Sequence, residues 1–258
     1  MAKLRCSCYP GLHGKFSGDI LFVNFFISLP EAEWKPAEKQ DVLKIMWECK
    51  CFFEEEAGKY GVKLDVRPLC NYDVFDRDFP LPNKVLQKAE MEGWIERIFK
   101  KAGFKNHDEA VSYLKEDTGK EPVFLFHYRL KGCSYCLNAG WGYRVAVTYF
   151  SHFAAAGDKR YPIEAREHRD EGIYAHELLH IFGASDLYPA LVEEGNLMSS
   201  HYWELRLNHI SNPTLEEIGW VNCLKIPGNY NSVGSHTNIG SDIRNEFGSF
   251  LNPGFFAR

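Results

Sequence analysis

Two histidines and one glutamate in a single short segment have the residue types and spacing of a catalytic zinc site. His176 and His180 are four residues apart, so on an α-helix both imidazoles lie on one face and can bind one metal ion. Glu177 lies on the same helix but is offset around it, so its carboxylate can reach a water molecule on the metal instead of the metal itself. The segment therefore predicts a metal-binding helix that carries its own general base.

The residues that follow His180 can complete such a site. Gly183 is well placed to end the helix in a left-handed conformation, which other residues adopt at a cost. The chain could then turn back, so that Asp186 supplies a third ligand oxygen. Three protein ligands and one open position are what a catalytic zinc ion needs. The alternative is a core helix whose two histidines are only hydrogen-bonded, which leaves the spacing of Gly183 and Asp186 to chance.

A methionine-containing stretch follows the predicted metal site, at residues 196–199. Together with the H-E-x-x-H motif, this stretch resembles the metzincin clan of zinc peptidases, in which a turn containing methionine lies beneath the metal. Asp186 stands where the clan has a third histidine, and in this the chain is similar to the snapalysin-type variant. The resemblance covers roughly residues 170 to 222. It implies a zinc cofactor, Glu177 as general base, and Met198 as structural support under the site.

The resemblance also implies a tyrosine shortly after the methionine that binds zinc or stabilises the transition state. Tyr202 lies four residues after Met198 and is the candidate for this catalytic role, although the family's usual spacing is shorter. Tyr188, close to Asp186, is the alternative. For each tyrosine the structural explanation is core packing with the hydroxyl at the surface. In this family the residues after the turn shape the substrate pocket, which points to Trp203 and Leu205.

Composition limits the class of protein and of partner. The chain has 258 residues, enough for one large domain or two lobes, and its 45% hydrophobic and 25% charged residues are normal for a globular protein. A net charge of −5 argues against nucleic acid or an anionic membrane surface as a partner.

No segment reaches the length of a membrane-spanning helix. Residues 20–29 are better explained as a buried strand than as the core of a signal peptide, so we expect a cytoplasmic protein, with secretion by a non-standard route as the alternative. The oligomeric state is left open.

Eight cysteines occur in the chain, and reduced thiols are the default without a signal peptide. A second, structural zinc site is an open alternative, because two pairs have suitable spacing: Cys6 with Cys8, and Cys133 with Cys136. We assign none of the other eight histidines to the metal; His201 is the one that could touch substrate.

Hydrophobic periodicity predicts an α+β order of elements. The resemblance implies that they form a metzincin-like zincin fold, a twisted mixed sheet with backing helices and a small lower lobe. Residues 1–15 are predicted to be an irregular N-terminal segment, 16–183 an N-terminal lobe with the sheet and the metal-binding helix, and 184–258 a C-terminal lobe with the methionine turn and a short helix. The tail 227–258 could not be placed. The predicted strands are 17–29, 62–69, 123–130 and 141–150. The predicted helices are 37–60, 83–101, 107–116 and 212–220, the last with Asn212 as N-cap.

The resemblance to metzincins also implies a role for the fourth predicted strand, residues 141–150. That family has an antiparallel edge strand lining the cleft, and an exposed edge can pair with an extended peptide. We therefore expect residues 141–150 to form the rim of the cleft. If this strand instead lies inside the sheet, a small amide in a closed pocket becomes the better substrate. The two stretches 71–82 and 131–140 are predicted loops.

These patterns predict a zinc-dependent endopeptidase that acts on a peptide or protein substrate. A zinc hydrolase of small amides or short peptides is the alternative on the same scaffold. A non-catalytic protein that binds peptides and retains zinc is disfavoured by the intact general base, Glu177. A purely structural zinc protein is disfavoured by the open fourth position.

Overall fold

The computed structural model describes residues 16–77, 88–132, 134–137, 143–152, 171–187, 195–199 and 205–221. This part of the chain forms a mixed α/β fold with one five-stranded sheet. The strands are β1 Gly18–Ser28, β2 Leu64–Phe75, β3 Glu121–Gly132, β4 Tyr135–Leu137 and β5 Val145–His152. The helices are α1 Pro36–Lys59, α2 Lys88–Lys101, α3 His107–Thr118, α4 Glu171–Ile181 and α5 Asn212–Glu217. A short 3-10 helix covers Leu205–Leu207.

The sheet is mostly parallel, with the order β2-β1-β3-β5-β4. β1 pairs in parallel with β2 and β3, β3 pairs in parallel with β5, and β4 alone is antiparallel to its neighbour β5. β1 is buried from Ile20 to Ile27, because helices cover both faces of the sheet. A mixed sheet backed by helices was the expectation from the sequence.

Two hydrophobic clusters lie on opposite faces of the sheet. α1 and α4 pack on one face, and α2 and α3 pack on the other. α1 shows why the helical prediction succeeded, because its buried side chains recur every three or four residues: Val42, Met46, Cys49, Phe53 and Ala57. Its ends agree with the predicted 37–60 to within one residue.

The predicted loop 71–82 is partly wrong. β2 continues to Phe75, because it pairs with β1 along the whole length of that strand, as far as Ser28 with Phe75. The predicted loop 131–140 is also partly wrong, because it contains β4. A strand of three residues is too short for periodicity to detect.

The predicted edge strand 141–150 is wrong in position. The strand in this region is β5, and it lies between β3 and β4 and runs parallel to β3. Among the described strands, β4 takes the outer position and is the antiparallel edge strand. Sequence alternation reports that a strand is buried on one or both faces, but it does not report which strands lie beside it.

The short C-terminal helix was predicted one residue late at its start. Ser211 is the N-cap of α5, and Pro213 therefore stands at the second helical position. Leu215 of this helix, with Ile218 and Trp220 just after it, belongs to the same hydrophobic cluster as α1, although α1 and α5 lie on the two sides of the predicted boundary at residue 183. The division into two lobes stays a prediction, and its segments 1–15 and 227–258 lie outside the described residues. In the part of the chain that is described, no helix combines the length and the hydropathy needed to cross a membrane.

Candidate metal centre

The helix that carries the predicted ligands is buried almost all round. In α4 every residue from Glu171 to Ile181 is buried except His180, which is partly buried. A helix that is apolar on all sides belongs to the interior of a protein. α4 fills the space between α1, β5 and β4. His176 and Glu177 are therefore polar side chains in a buried environment, with exposed fractions of 3% and 6%.

The end of α4 turns the chain back toward the two histidines. Gly183 has a φ of +99°, a left-handed conformation that favours glycine. The amide of Ala184 donates to the Leu179 carbonyl at 3.2 Å, and the amide of Gly183 donates to the His180 carbonyl at 3.1 Å. These two bonds are the Schellman pattern of helix termination. The reversal places Asp186 beside the histidines it follows in sequence.

Three potential ligand atoms converge at one point. His176 Nε2 and His180 Nε2 are 3.0 Å apart. Asp186 Oδ1 lies 3.1 Å from His176 Nε2 and 3.3 Å from His180 Nε2. Among the described residues, these three form a group that could hold a metal ion.

The hydrogen bonds of the two imidazoles determine which nitrogen is available to a metal. His176 Nδ1 lies 2.9 Å from the Leu197 carbonyl oxygen, and His180 Nδ1 lies 2.7 Å from the Ala184 carbonyl oxygen. A carbonyl oxygen only accepts, so each Nδ1 must carry the hydrogen. In the neutral imidazole each Nε2 then presents a lone pair.

The donor set fits zinc. Two Nε2 lone pairs and the buried oxygen Asp186 Oδ1 face one another, and all three are acceptors when the imidazoles are neutral. Buried acceptors at these distances need a proton or a cation between them. Two imidazole nitrogens and one carboxylate oxygen are a usual ligand set for catalytic zinc. The backbone carbonyls that hold the Nδ1 atoms are the outer contacts that orient histidine ligands.

The pKa shifts of His180 and Asp186 also indicate a site that favours a cation. Burial lowers the pKa of His180, but the hydrogen bond and charge of Asp186, with the charge of Glu177, outweigh burial and raise it to about 9. Burial raises the pKa of Asp186, but hydrogen bonds and charges of both histidines hold it well below its usual value. The arrangement thus favours positive charge at the point where the three side chains meet.

A tight turn supports the histidines from below. Met198 is fully buried in this turn, and Asn196 Oδ1 accepts from the Met198 amide at 3.0 Å. The carbonyl of Leu197 in the same turn is the acceptor for His176. The amide of Leu187 donates to the Met198 carbonyl at 2.9 Å. The turn therefore fixes both His176 and the backbone just after Asp186.

Glu177 lies within electrostatic range of two features. Its charge contributes to the raised pKa of His180. Burial, and after it the charge of Glu177, raises the pKa of the Cys136 thiol on β4. The carboxylate therefore lies close enough to affect both the ligand group and the edge strand.

One residue near the site was missed by sequence reasoning. Glu217 on α5 accepts a hydrogen bond from the Ser185 amide at 2.7 Å, and Ser185 precedes Asp186. The two residues are 32 positions apart, and no motif in the sequence links them.

Several predicted residues lie outside the described part of the chain: Tyr188, Tyr202, Trp203, His201, Cys6, Cys8 and Cys133. The catalytic role of Tyr202 and the second zinc site therefore stay predictions. Leu205 is described and is buried. Cys49, Cys51 and Cys136 are free thiols. His107 and His127 are buried in hydrogen-bond networks away from the ligand group.

Comparisons with known proteins add little to this geometry. No protein-family model matches the chain. No curated protein sequence matches it. Among solved structures, the chain is similar to a zinc-dependent peptidase from Methanocorpusculum labreanum, at 13% sequence identity and a TM-score of 0.35, over 76% of this chain and 99% of that one. At this level of similarity no function carries over, so the functional interpretation depends on the ligand group itself.

Proposed function

We propose that this protein is a zinc-dependent peptidase with a metzincin-like site. His176, His180 and Asp186 would hold the zinc ion. The observation that carries the proposal is the meeting of two imidazole Nε2 atoms and one carboxylate oxygen, with both Nδ1 atoms already bonded to carbonyls. The buried carboxylate of Glu177 beside this group supports a hydrolytic rather than a purely structural centre.

In the proposed reaction Glu177 handles the proton. Its carboxylate accepts a proton from the attacking water and returns it to the leaving amine. When bound, zinc acts as a Lewis acid that polarises the scissile carbonyl and makes a coordinated water more acidic. Asp186 adds negative charge to the ligand set, so the water would be less acidic than under three histidines. Gly183 and Met198 would act by holding the ligands in place.

The substrate is proposed to be an extended peptide that pairs with β4. Within the described residues β4 has a strand neighbour on one side only, β5. α4 packs against β4, and the charge of Glu177 reaches Cys136 on that strand. A peptide added to this edge would therefore run close to the general base. β4 thus takes the role that the sequence had assigned to 141–150.

A small amide or short peptide is the second candidate substrate, and the position of β5 inside the sheet favours it. β4 has only three residues, so its edge offers few backbone hydrogen bonds to a long substrate. Substrate length is therefore the property that separates the two candidates.

The test uses the full chain, loaded with zinc, on peptide mixtures of increasing length. Cleavage of internal bonds in peptides of about six residues or more supports an endopeptidase, because a longer peptide gains backbone pairing. Turnover of dipeptides and simple amides alone would favour the second candidate. A zinc-loaded protein with no activity on any of these substrates would contradict both. Removal of the metal by a chelator should abolish activity, and added zinc should restore it.

A further inference from the structure

The C-terminal end of helix α5 lies against the turn that leads to Asp186. The ring of Phe16 stacks on Phe182 at 4.0 Å and on Trp220 at 5.6 Å, and Trp220 Nε1 donates to the Phe16 carbonyl. A Cβ atom added to Gly183 would lie 3.9 Å from the Glu217 carbonyl oxygen. The end of α4 therefore lies close to the end of α5 and to the residues that follow it.

The side chain of Glu217 makes the link to the ligand segment. Its Oε2 accepts from the Ser185 amide at 2.7 Å, the length of a strong bond to a charged acceptor. Burial of the carboxyl raises the pKa of Glu217, hydrogen bonds from Ser185 lower it, and the charges of His180 and Asp186 act on it in opposite directions. The charges of both candidate ligands therefore act on this carboxylate, although Glu217 is an exposed residue.

We infer that Glu217 is a positioning residue for the metal centre. By holding the Ser185 amide, it fixes the backbone from which Asp186 reaches His176 and His180. This inference rests on the proposed function, in which Asp186 is a metal ligand. Without the bond to Glu217, zinc binding itself would have to order the segment, and that entropy cost would weaken binding.

Zinc affinity of the full chain, measured against a competing chelator, tests the inference. Glu217→Ala should weaken zinc binding by about tenfold, the lower end of what loss of an outer contact costs. Glu217→Gln keeps an oxygen that can accept the same hydrogen bond, so its affinity should stay within about twofold of the original. Glu216→Ala removes the same charge one residue earlier on α5 and should also stay within about twofold, since it leaves the bond in place.

Amide hydrogen exchange of Ser185 in the zinc-free chain gives a readout that does not depend on the metal. The amide should exchange slowly in the original protein and in Glu217→Gln, and fast in Glu217→Ala. Melting curves of each variant verify that it is folded. Fast exchange of Ser185 in the original protein would overturn the inference even if Glu217→Ala failed to fold.

The outcomes separate this inference from the proposed function. Asp186→Ala is the reference variant. If it loses zinc while Glu217→Ala keeps full affinity, the positioning role is wrong and the proposed site stands. If both variants keep full affinity, both proposals are wrong. Equal losses in Glu217→Ala and Glu217→Gln would mean that charge rather than the hydrogen bond acts on the metal, which also overturns the positioning role.

Discussion

The two faces of the sheet are built from side chains of different chemistry. On the face covered by α2 and α3, the inward side chains of β1, β3 and β5 are apolar or aromatic: Leu21, Val23, Phe25, Phe124, Phe126, Val145 and Val147 among them. On the face covered by α1 and α4, the same strands carry three fully buried polar residues, Asn24, His127 and Thr148. Buried polar groups lower stability unless they are hydrogen-bonded. The strands on the α1 and α4 face therefore need hydrogen-bond partners for these three side chains.

The polar residues form one connected row beneath α4. His127 Nδ1 lies 2.7 Å from Thr148 Oγ1, and His127 Nε2 lies 2.9 Å from Asn24 Oδ1. The ring of Tyr174, two residues before His176, stacks on His127 with centroids 5.7 Å apart. The face that carries the candidate ligands therefore has polar contacts beneath α4. On the opposite face the central strands pack through aromatic and aliphatic side chains, and the ion pairs of buried Asp76 with Arg97 and Lys101 lie just after the end of β2.

Glu177→Gln should give the largest effect, and it should be on activity alone. The amide cannot take a proton from water, so kcat should decrease by about 10²- to 10⁴-fold, the usual share of general base catalysis. Zinc content and melting temperature should stay close to those of the original protein. Steady-state kinetics on zinc-loaded samples measures this. Cleavage at a near-normal rate by the zinc-loaded variant would remove Glu177 from the mechanism.

Phe99→Ala, on the face covered by α2 and α3, should lower stability and leave zinc binding unchanged. Phe99 is fully buried and contacts Phe25, Phe124 and Phe126 edge-on or tilted. Its truncation should lower the free energy of unfolding by about 3–5 kcal/mol. The folded fraction should bind zinc as before. Chemical denaturation measures the loss, with the 56% exposed Tyr113 as control, where Tyr113→Ala should cost less than about 1 kcal/mol. A loss of zinc affinity in folded Phe99→Ala would contradict the conclusion that packing on this face does not affect the candidate metal site.

Lowering the pH should reduce the stability of the folded protein through His127, which lies on the face covered by α1 and α4. Burial lowers the pKa of His127 to about 3, so the imidazole stays neutral in the folded protein, whereas in the unfolded chain it takes up a proton near its usual pKa of 6.5. The stability from this residue is therefore complete above about pH 6.5 and decreases, by up to about 1.4 kcal/mol per pH unit, as the pH falls toward 3. Denaturation of the zinc-free protein at several pH values should show this dependence. His127→Gln should reduce the slope by about one proton, and an unchanged slope would mean that His127 does not titrate this way.

The smallest expected effect concerns the binding of a modified substrate to β4, the edge strand beside α4. If the substrate pairs with β4, methylation of one backbone nitrogen beside the cleaved bond should remove one hydrogen bond. KM should then rise by about 2- to 10-fold with little change in kcat, since such a bond contributes about 0.5–1.5 kcal/mol. Methylation at a residue far from the bond is the control. Equal KM values for all methylated peptides would argue against pairing with β4.

The sequence was most informative where neighbours in space are neighbours in the chain. The spacing of His176 and His180, and the glycine that reverses the chain, were enough to predict that these histidines and Asp186 come together, because helix geometry fixes side chains four residues apart. Contacts that depend on tertiary structure were not predictable. The position of β5 beside β4, and the bond from Ser185 to Glu217, depend on which distant segments pack together. The role of His127 was not predictable for the same reason, since its partners Asn24 and Thr148 lie on other strands.

Metal binding by the original protein and by Asp186→Ala tests the central claim most directly. Elemental analysis after extensive dialysis should find about one zinc ion per chain in the original protein, held by two imidazoles and one carboxylate. Asp186→Ala leaves two ligands, so its zinc affinity should decrease by at least about 100-fold while the fold is retained. Zinc content and affinity that do not change in Asp186→Ala, or an original protein that binds no zinc, would contradict the account.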